Sequence, residues 1–152
     1  MVVPTLVNQA LDGKPLTVFG SGQQTRCFAW VGDIVESLLK LIDRPDADGE
    51  VFNIGSSEEV SITHLAERII ALTGSPSEIV YIPYSEAYQA GFEDMPRRVP
   101  DTSKLERFAG FRPRTSLDTI LREIIADCLA RRAATVDLNE SVAYARLLYV
   151  TP

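Results

Sequence analysis

Four short β-prone runs are separated along this chain by stretches of helical spacing, and that alternation restricts it to an α/β architecture. The runs are Leu16–Phe19, 27–31, 51–55 and Ile79–Ile82. Between them, apolar residues recur at three and four over 3–11, 34–42 and 61–73, as on one buried helix face. Asp12-Gly13 and Gly74-Ser75-Pro76 punctuate two of these stretches as helix stops. Asp33 is placed to cap the second helix or to sit as an acid in its first turn, and Ser61 or Ser57 to cap the third. Pro83 opens an irregular segment reaching about Pro100. A short helix follows, capped around Asp101, Thr102 and Ser103, and then a strong one from about Leu117, where Ile120, Leu121, Ile124, Ile125 and Leu129 repeat. The periodicity weakens after Arg132, and 142–150 reads as a separate short helix or strand. Only two connections have the length of a βαβ crossover. The expected organisation is one α/β domain over residues 1–132, with a tail over 133–152.

A chain of 152 residues is long enough to bury a core without disulfides or a metal. Fifteen basic against twenty-one acidic residues give a net charge of −6, which speaks against nucleic acid or an anionic membrane as partner. No apolar run approaches a membrane span, and no basic, apolar leader opens the sequence. Cys27 and Cys128 are too sparse for a disulfide framework, so reduced thiols and a cytoplasmic setting are expected. A single histidine, His64, excludes a multi-histidine metal centre.

Catalytic and nucleotide-binding signatures are few. Gly20-Ser21-Gly22 and Gly55-Ser56-Ser57 are the phosphate-loop-like turns, yet neither extends to a dinucleotide or P-loop fingerprint. Glycines supplying positive φ in tight turns is the simpler account of both. No serine stands in a GxSxG elbow, His64 is expected at or near the surface, and no lysine lies four residues after a tyrosine. The arginines are distributed unevenly. From Arg97 to Arg114 six basic residues face two acidic ones, a local excess of four positive charges in an acidic chain. Arg97 and Arg98 fall in the irregular segment, where a guanidinium fork can take a phosphate or carboxylate in two-point geometry. Arg26 lies between the glycine turn and an apolar run, and Asp101 can accept hydroxyl hydrogens while capping a helix. Taken alone, each arginine reads slightly better as a solvated surface charge.

The run from Leu16 to Leu39, LTVFGSGQQTRCFAWVGDIVESLL, resembles the LTVxGxGxQTRxFxxVxD stretch of extended short-chain dehydrogenase/reductases acting on nucleotide sugars. VFNIGS at 51–56 resembles their next strand and turn. RRVPDTSKL at 97–105, with GFRP at 110–113 and Ser116-Leu117, resembles their ending. Three motifs in order over about residues 1–130 identify a resemblance to the NAD-dependent epimerase/dehydratase family, nearest to its UDP-glucuronate decarboxylases. The resemblance implies that Arg26 and Arg98 hold the diphosphate of a UDP-sugar, that Asp101 binds the ribose hydroxyls, and that the edge of Leu16–Phe19 flanks the base.

Gly32 departs from the pattern, standing where relatives often carry an acid. The family's glycine-rich cofactor turn and its YxxxK pair are absent as well. The chain therefore resembles the substrate-side portion of such enzymes without the dinucleotide-binding half. No catalytic residue and no cofactor is expected for it, although NAD serves the full-length relatives. A UDP-sugar-binding portion that does not turn over alone is the principal reading. A self-associating interaction module and a newly acquired hydrolase-type activity are the alternatives. Ile34, Leu38, Leu41, Ile42, Val51, Phe52 and Ile54 are expected to be left uncovered, favouring a homo-oligomer. Leu147, Leu148 and Val150 of the tail could be exchanged between copies or fold back over that patch.

Overall fold

The computed structural model describes residues 1–87, 89 and 94–149. Its elements run α1 (Val2–Leu11), β1 (Leu16–Phe19), β2 (Thr25–Cys27), α2 (Val31–Ile42), a 3-10 turn at Pro45–Ala47, β3 (Glu59–Ser61), α3 (Ile62–Thr73), β4 (Ile79–Ile82), α4 (Tyr84–Ala87), α5 (Ser103–Ala109) and α6 (Leu117–Tyr149). The strands form two small sheets. β1 pairs in parallel with β4, Leu16 opposite Ile79 and Phe19 opposite Ile82, while β2 pairs antiparallel with β3, Thr25 opposite Ser61.

The core lies where α1, α3 and α6 meet the β1–β4 pair. Leu6, Val7, Leu16, Val18, Leu65, Ile69 and Leu121 are at most 1% exposed there. Strand alternation explains β1: Leu16 and Val18 point into the core, which turns Thr17 and Phe19 to the other face. The Ser61 hydroxyl accepts from the His64 backbone N–H at 3.1 Å, capping α3, and Gly74 ends that helix at φ 62°. Arg68 of α3 reaches Asp118 of α6 at 2.7 Å and Glu58 at 3.2 Å, and Glu58 accepts from the Leu117 backbone N–H at 3.0 Å. These contacts lock the start of α6 onto α3.

Several expectations are corrected. The strand expected at 27–31 lies at Thr25–Cys27 instead, because polar Thr25 and Arg26 find a partner in β3. Trp30 is extended and α2 already begins at Val31. Asp33 sits in the first turn of α2, but its carboxylate accepts from the Arg114 and Thr115 N–H groups and the Thr115 hydroxyl, at 3.1, 3.0 and 2.9 Å. Residues 51–55 form no strand. No strand lies beside them among the described residues, and β-propensity alone does not make a ladder. Side chains engage them instead: Lys104 donates to the Val51 carbonyl at 3.0 Å and Asn53 to that of Asp101 at 3.1 Å. Polar Glu59–Ser61 is a strand because β2 pairs with it.

Within the segment expected to be irregular, Tyr84–Ala87 forms one helical turn, and Arg97 makes a parallel bridge to Thr25. No separate element stands at 142–149, since α6 continues unbroken for 33 residues, through position 132, to Tyr149. Leu147 and Leu148 belong to that helix, and Val150 lies outside the described residues.

The expected bare patch is redrawn. Leu38, Ile42 and Val51 are exposed, at 46, 75 and 80%, whereas Ile34, Leu41, Phe52 and Ile54 are half-buried. α2 packs against α5, and Phe52 meets the Phe108 ring edge-on at 5.2 Å. The outward stripe is completed by Val31, Val35 and Leu39, which recur at helical spacing on α2. No described helix is long and apolar enough to cross a membrane.

Candidate functional site

The parallel bridge between Thr25 and Arg97 brings two arginine-bearing segments together from distant parts of the chain. The Thr25 N–H donates to the Pro96 carbonyl at 2.8 Å. One residue further along each parallel segment stand Arg26 and Arg98. The bridge is a single residue pair, and in the β2–β3 ladder Arg26 pairs with Val60.

The three arginines of this region are employed differently. Arg97 forks onto Glu59, Nε to Oε1 at 3.0 Å and Nη2 to Oε2 at 3.1 Å, and the Thr25 hydroxyl joins the same carboxylate at 2.5 Å. The Thr25 and Arg97 hydrogen bonds hold the Glu59 carboxyl below its ordinary range. Across the ladder from Glu59, burial pushes the Cys27 thiol up, and the carboxylate adds to that. Arg26 is mostly buried: Nη1 donates to the Thr25 and Met95 carbonyls at 2.7 and 2.9 Å, and Nη2 to Asp94 Oδ1 at 2.5 Å. Arg98 is exposed and makes no ion pair or hydrogen bond among the described residues.

A cavity of about 360 Å³ opens beside Arg26. Val2, Thr5 and Leu6 of α1 form one wall, Thr17 and Phe19 of β1 another, and Gln24, Arg26, Tyr84 and Asp94 the polar rim. Phe19 supplies a flat apolar surface suited to a planar ring. Gln24 donates to the Phe19 carbonyl at 2.8 Å, which fixes the turn between β1 and β2. Arg98 and Asp101 do not line this cavity. Asp101 is exposed; its Oδ1 accepts from the Ser103 N–H at 2.9 Å, and this bond keeps its carboxyl low. The structure thus brings the segments carrying Arg26 and Arg98 together through Thr25 and Arg97, and leaves Asp101 at the start of α5.

Tyr84 and Asp94 were not singled out from the sequence. Both lie in the segment from Pro83 to Pro100, which carries no periodicity, so the single available signal was the nearby arginine pair. Thr17 and Phe19 were reached through the resemblance, which implies that the edge of Leu16–Phe19 flanks the base.

The glycine turns are packed against the protein's own side chains. Gly20 and Gly22 have φ of 68° and 71°, and a Cβ on them would strike the Tyr84 ring and the Thr63 hydroxyl respectively. On the Cβ side of these glycines the space is filled by the protein's own side chains. Gly55 has no positive φ, contrary to expectation; a side chain there would press on Pro100, with a Cβ 3.3 Å from its ring. The neighbouring Ser56 and Ser57 hydroxyls accept from the Glu58 N–H and from Arg112. His64 is exposed, with Nδ1 3.2 Å from Glu67, and no serine hydroxyl bonds to its ring among the described residues.

The profile of the GDP-mannose 4,6 dehydratase family matches residues 1–124. The chain is 43% identical over 124 residues to the UDP-N-acetyl-alpha-D-glucosaminuronate decarboxylase of Bacillus cytotoxicus, a match covering 82% of this chain and 38% of that enzyme. UDP-glucose 4-epimerase from Thermotoga maritima, solved with UDP-glucose, superposes with a TM-score of 0.72 at 28% identity, over 83% of this chain and 38% of the other. UDP-glucuronic acid 4-epimerase from Bacillus cereus, in complex with UDP-glucuronic acid and NAD, gives 0.73 at 26% identity, over 84% and 40%. The chain thus spans well under half the length of these relatives. With fold, motif order and family profile in agreement over residues 1–124, this protein belongs to the GDP-mannose 4,6 dehydratase family of NAD-dependent epimerases and dehydratases.

Proposed function

We propose that this chain binds the nucleoside-diphosphate part of a UDP-sugar and does not turn it over by itself. The supporting observation is the parallel bridge of Thr25 to Arg97, which brings the segments carrying Arg26 and Arg98 together, with Arg26 on the rim of the cavity. In this reading the uracil ring lies against Phe19 and Thr17, and the two guanidinium groups take the diphosphate in charge-assisted hydrogen bonds. Asp101, three residues beyond Arg98, accepts the ribose hydroxyls. Hydride chemistry would need a dinucleotide site, and the sequence carries no dinucleotide fingerprint. The free, half-buried thiols of Cys27 and Cys128 suit a reducing, cytoplasmic setting.

Calorimetric titration with UDP tests this. Saturable binding in the micromolar to millimolar range is expected, and Arg98→Ala should weaken it by roughly 1.5–3 kcal/mol. No heat at millimolar UDP removes the reading.

The exposed stripe of α2 favours a second property, self-association. Val31, Val35, Leu38, Leu39 and Ile42 form one continuous apolar face.

A further inference from the structure

Asp94 occupies the donor that the proposed ligand needs. Its Oδ1 lies 2.5 Å from Nη2 of Arg26, and its Oδ2 accepts the Tyr84 hydroxyl at 3.1 Å. The pair is largely withdrawn from water, with side chains 18 and 24% exposed, and both residues line the cavity. An anion entering there meets a carboxylate before it meets the full charge of Arg26, and like charges at such range repel strongly outside bulk water.

We propose that Asp94 is a built-in counter-anion to Arg26, which an incoming diphosphate must displace. This rests on the nucleotide-binding reading above and adds how that site is regulated. The geometry separates two roles. The Thr25 and Met95 carbonyls take both Nη1 hydrogens, so they fix the guanidinium in place without help from Asp94. Asp94 therefore neutralises the charge of Arg26 more than it positions the group. Nε and the second Nη2 hydrogen carry no bond among the described residues, so Arg26 keeps donor capacity beyond the one Asp94 takes. A ligand with two or more phosphate charges competes with one carboxylate, whereas an uncharged nucleoside gains nothing at Arg26. The site so constructed prefers nucleoside diphosphates to nucleosides by exchange of one anion for another.

The experiment compares wild type and Asp94→Asn in titrations with UDP and with uridine, after circular dichroism has shown both folded. Asp94→Asn should bind UDP about tenfold more tightly while uridine affinity changes less than about twofold. If wild type binds UDP and Asp94→Asn binds it equally or more weakly, Asp94 is a positioning residue and the counter-anion role falls, with the nucleotide site intact. If neither protein binds UDP, the nucleotide-binding reading falls and this proposal falls with it. Should Asp94→Asn fail to fold, Tyr84→Phe keeps the charge pair and removes the hydroxyl that donates to Asp94. It should then raise UDP affinity about two- to threefold; no rise overturns the proposal.

Discussion

Asp33 Oδ1 accepts the hydroxyl of Thr115 at 2.9 Å, and its Oδ2 accepts two backbone N–H groups of the same loop. One carboxylate thus ties the first turn of α2 to the segment that leads into α6. Asp33→Ala leaves two amides and a hydroxyl without their acceptor. It should cost about 1–3 kcal/mol in urea unfolding, and Asp33→Asn less, because the amide keeps one acceptor oxygen. Equal midpoints for wild type and Asp33→Ala would show that water replaces these bonds at no cost.

Glu59 gives the acid limb a defined sign. Hydrogen bonds from Thr25 and Arg97 lower its folded pKa below its ordinary value of 4.5. The unfolded chain therefore takes up the proton first as pH falls. Its contribution is complete above about pH 4.5 and is lost as pH drops through the lowered folded value. Glu59→Gln should flatten the stability profile below that pH and leave its shape at neutral pH unchanged. An unaltered acid limb in melting curves would contradict this.

Gly22→Ala should destabilise the chain sharply. The backbone is at φ 71°, and the added methyl meets the Thr63 hydroxyl and, at 2.8 Å, Val18 Cγ1. About 1–3 kcal/mol is expected from strain at such a position. The control is Gly13→Ala, which shares a positive φ of 65° but has nothing near its Cβ, and should cost less. Equal costs would assign the whole effect to the dihedral angle.

Replacing Val35 and Leu39 together by glutamate should shift sedimentation toward a 16.8 kDa monomer without lowering the melting temperature of that monomer, since both side chains are exposed. A wild type already monomeric at high concentration would remove the α2 interface.

How much of this was readable from the residues depends on the range of the interaction concerned. The helices α1, α3 and the start of α6 follow from apolar spacing and local stops, because a helix closes its hydrogen bonds within a few residues. β1 and β4 were legible for a related reason. Their alternating or wholly apolar character needs only some core to face. β3 and residues 51–55 reverse the expectation, polar Glu59–Ser61 being a strand and apolar 51–55 not. A strand exists only where another backbone lies alongside, and that is a property of the tertiary arrangement.

The candidate site divides in the same way. Sequence determined the arginine-rich segment and the Arg26 motif, and the tertiary structure decided the outward face of Thr17 and Phe19. Only the tertiary structure decided which arginine is free. It bound Arg97 to Glu59, closed Arg26 onto Asp94 and left Arg98 in solvent. The reason is electrostatic: a guanidinium's availability depends on which carboxylates the fold brings within about 3–4 Å, and charge patterning along one chain does not carry that information.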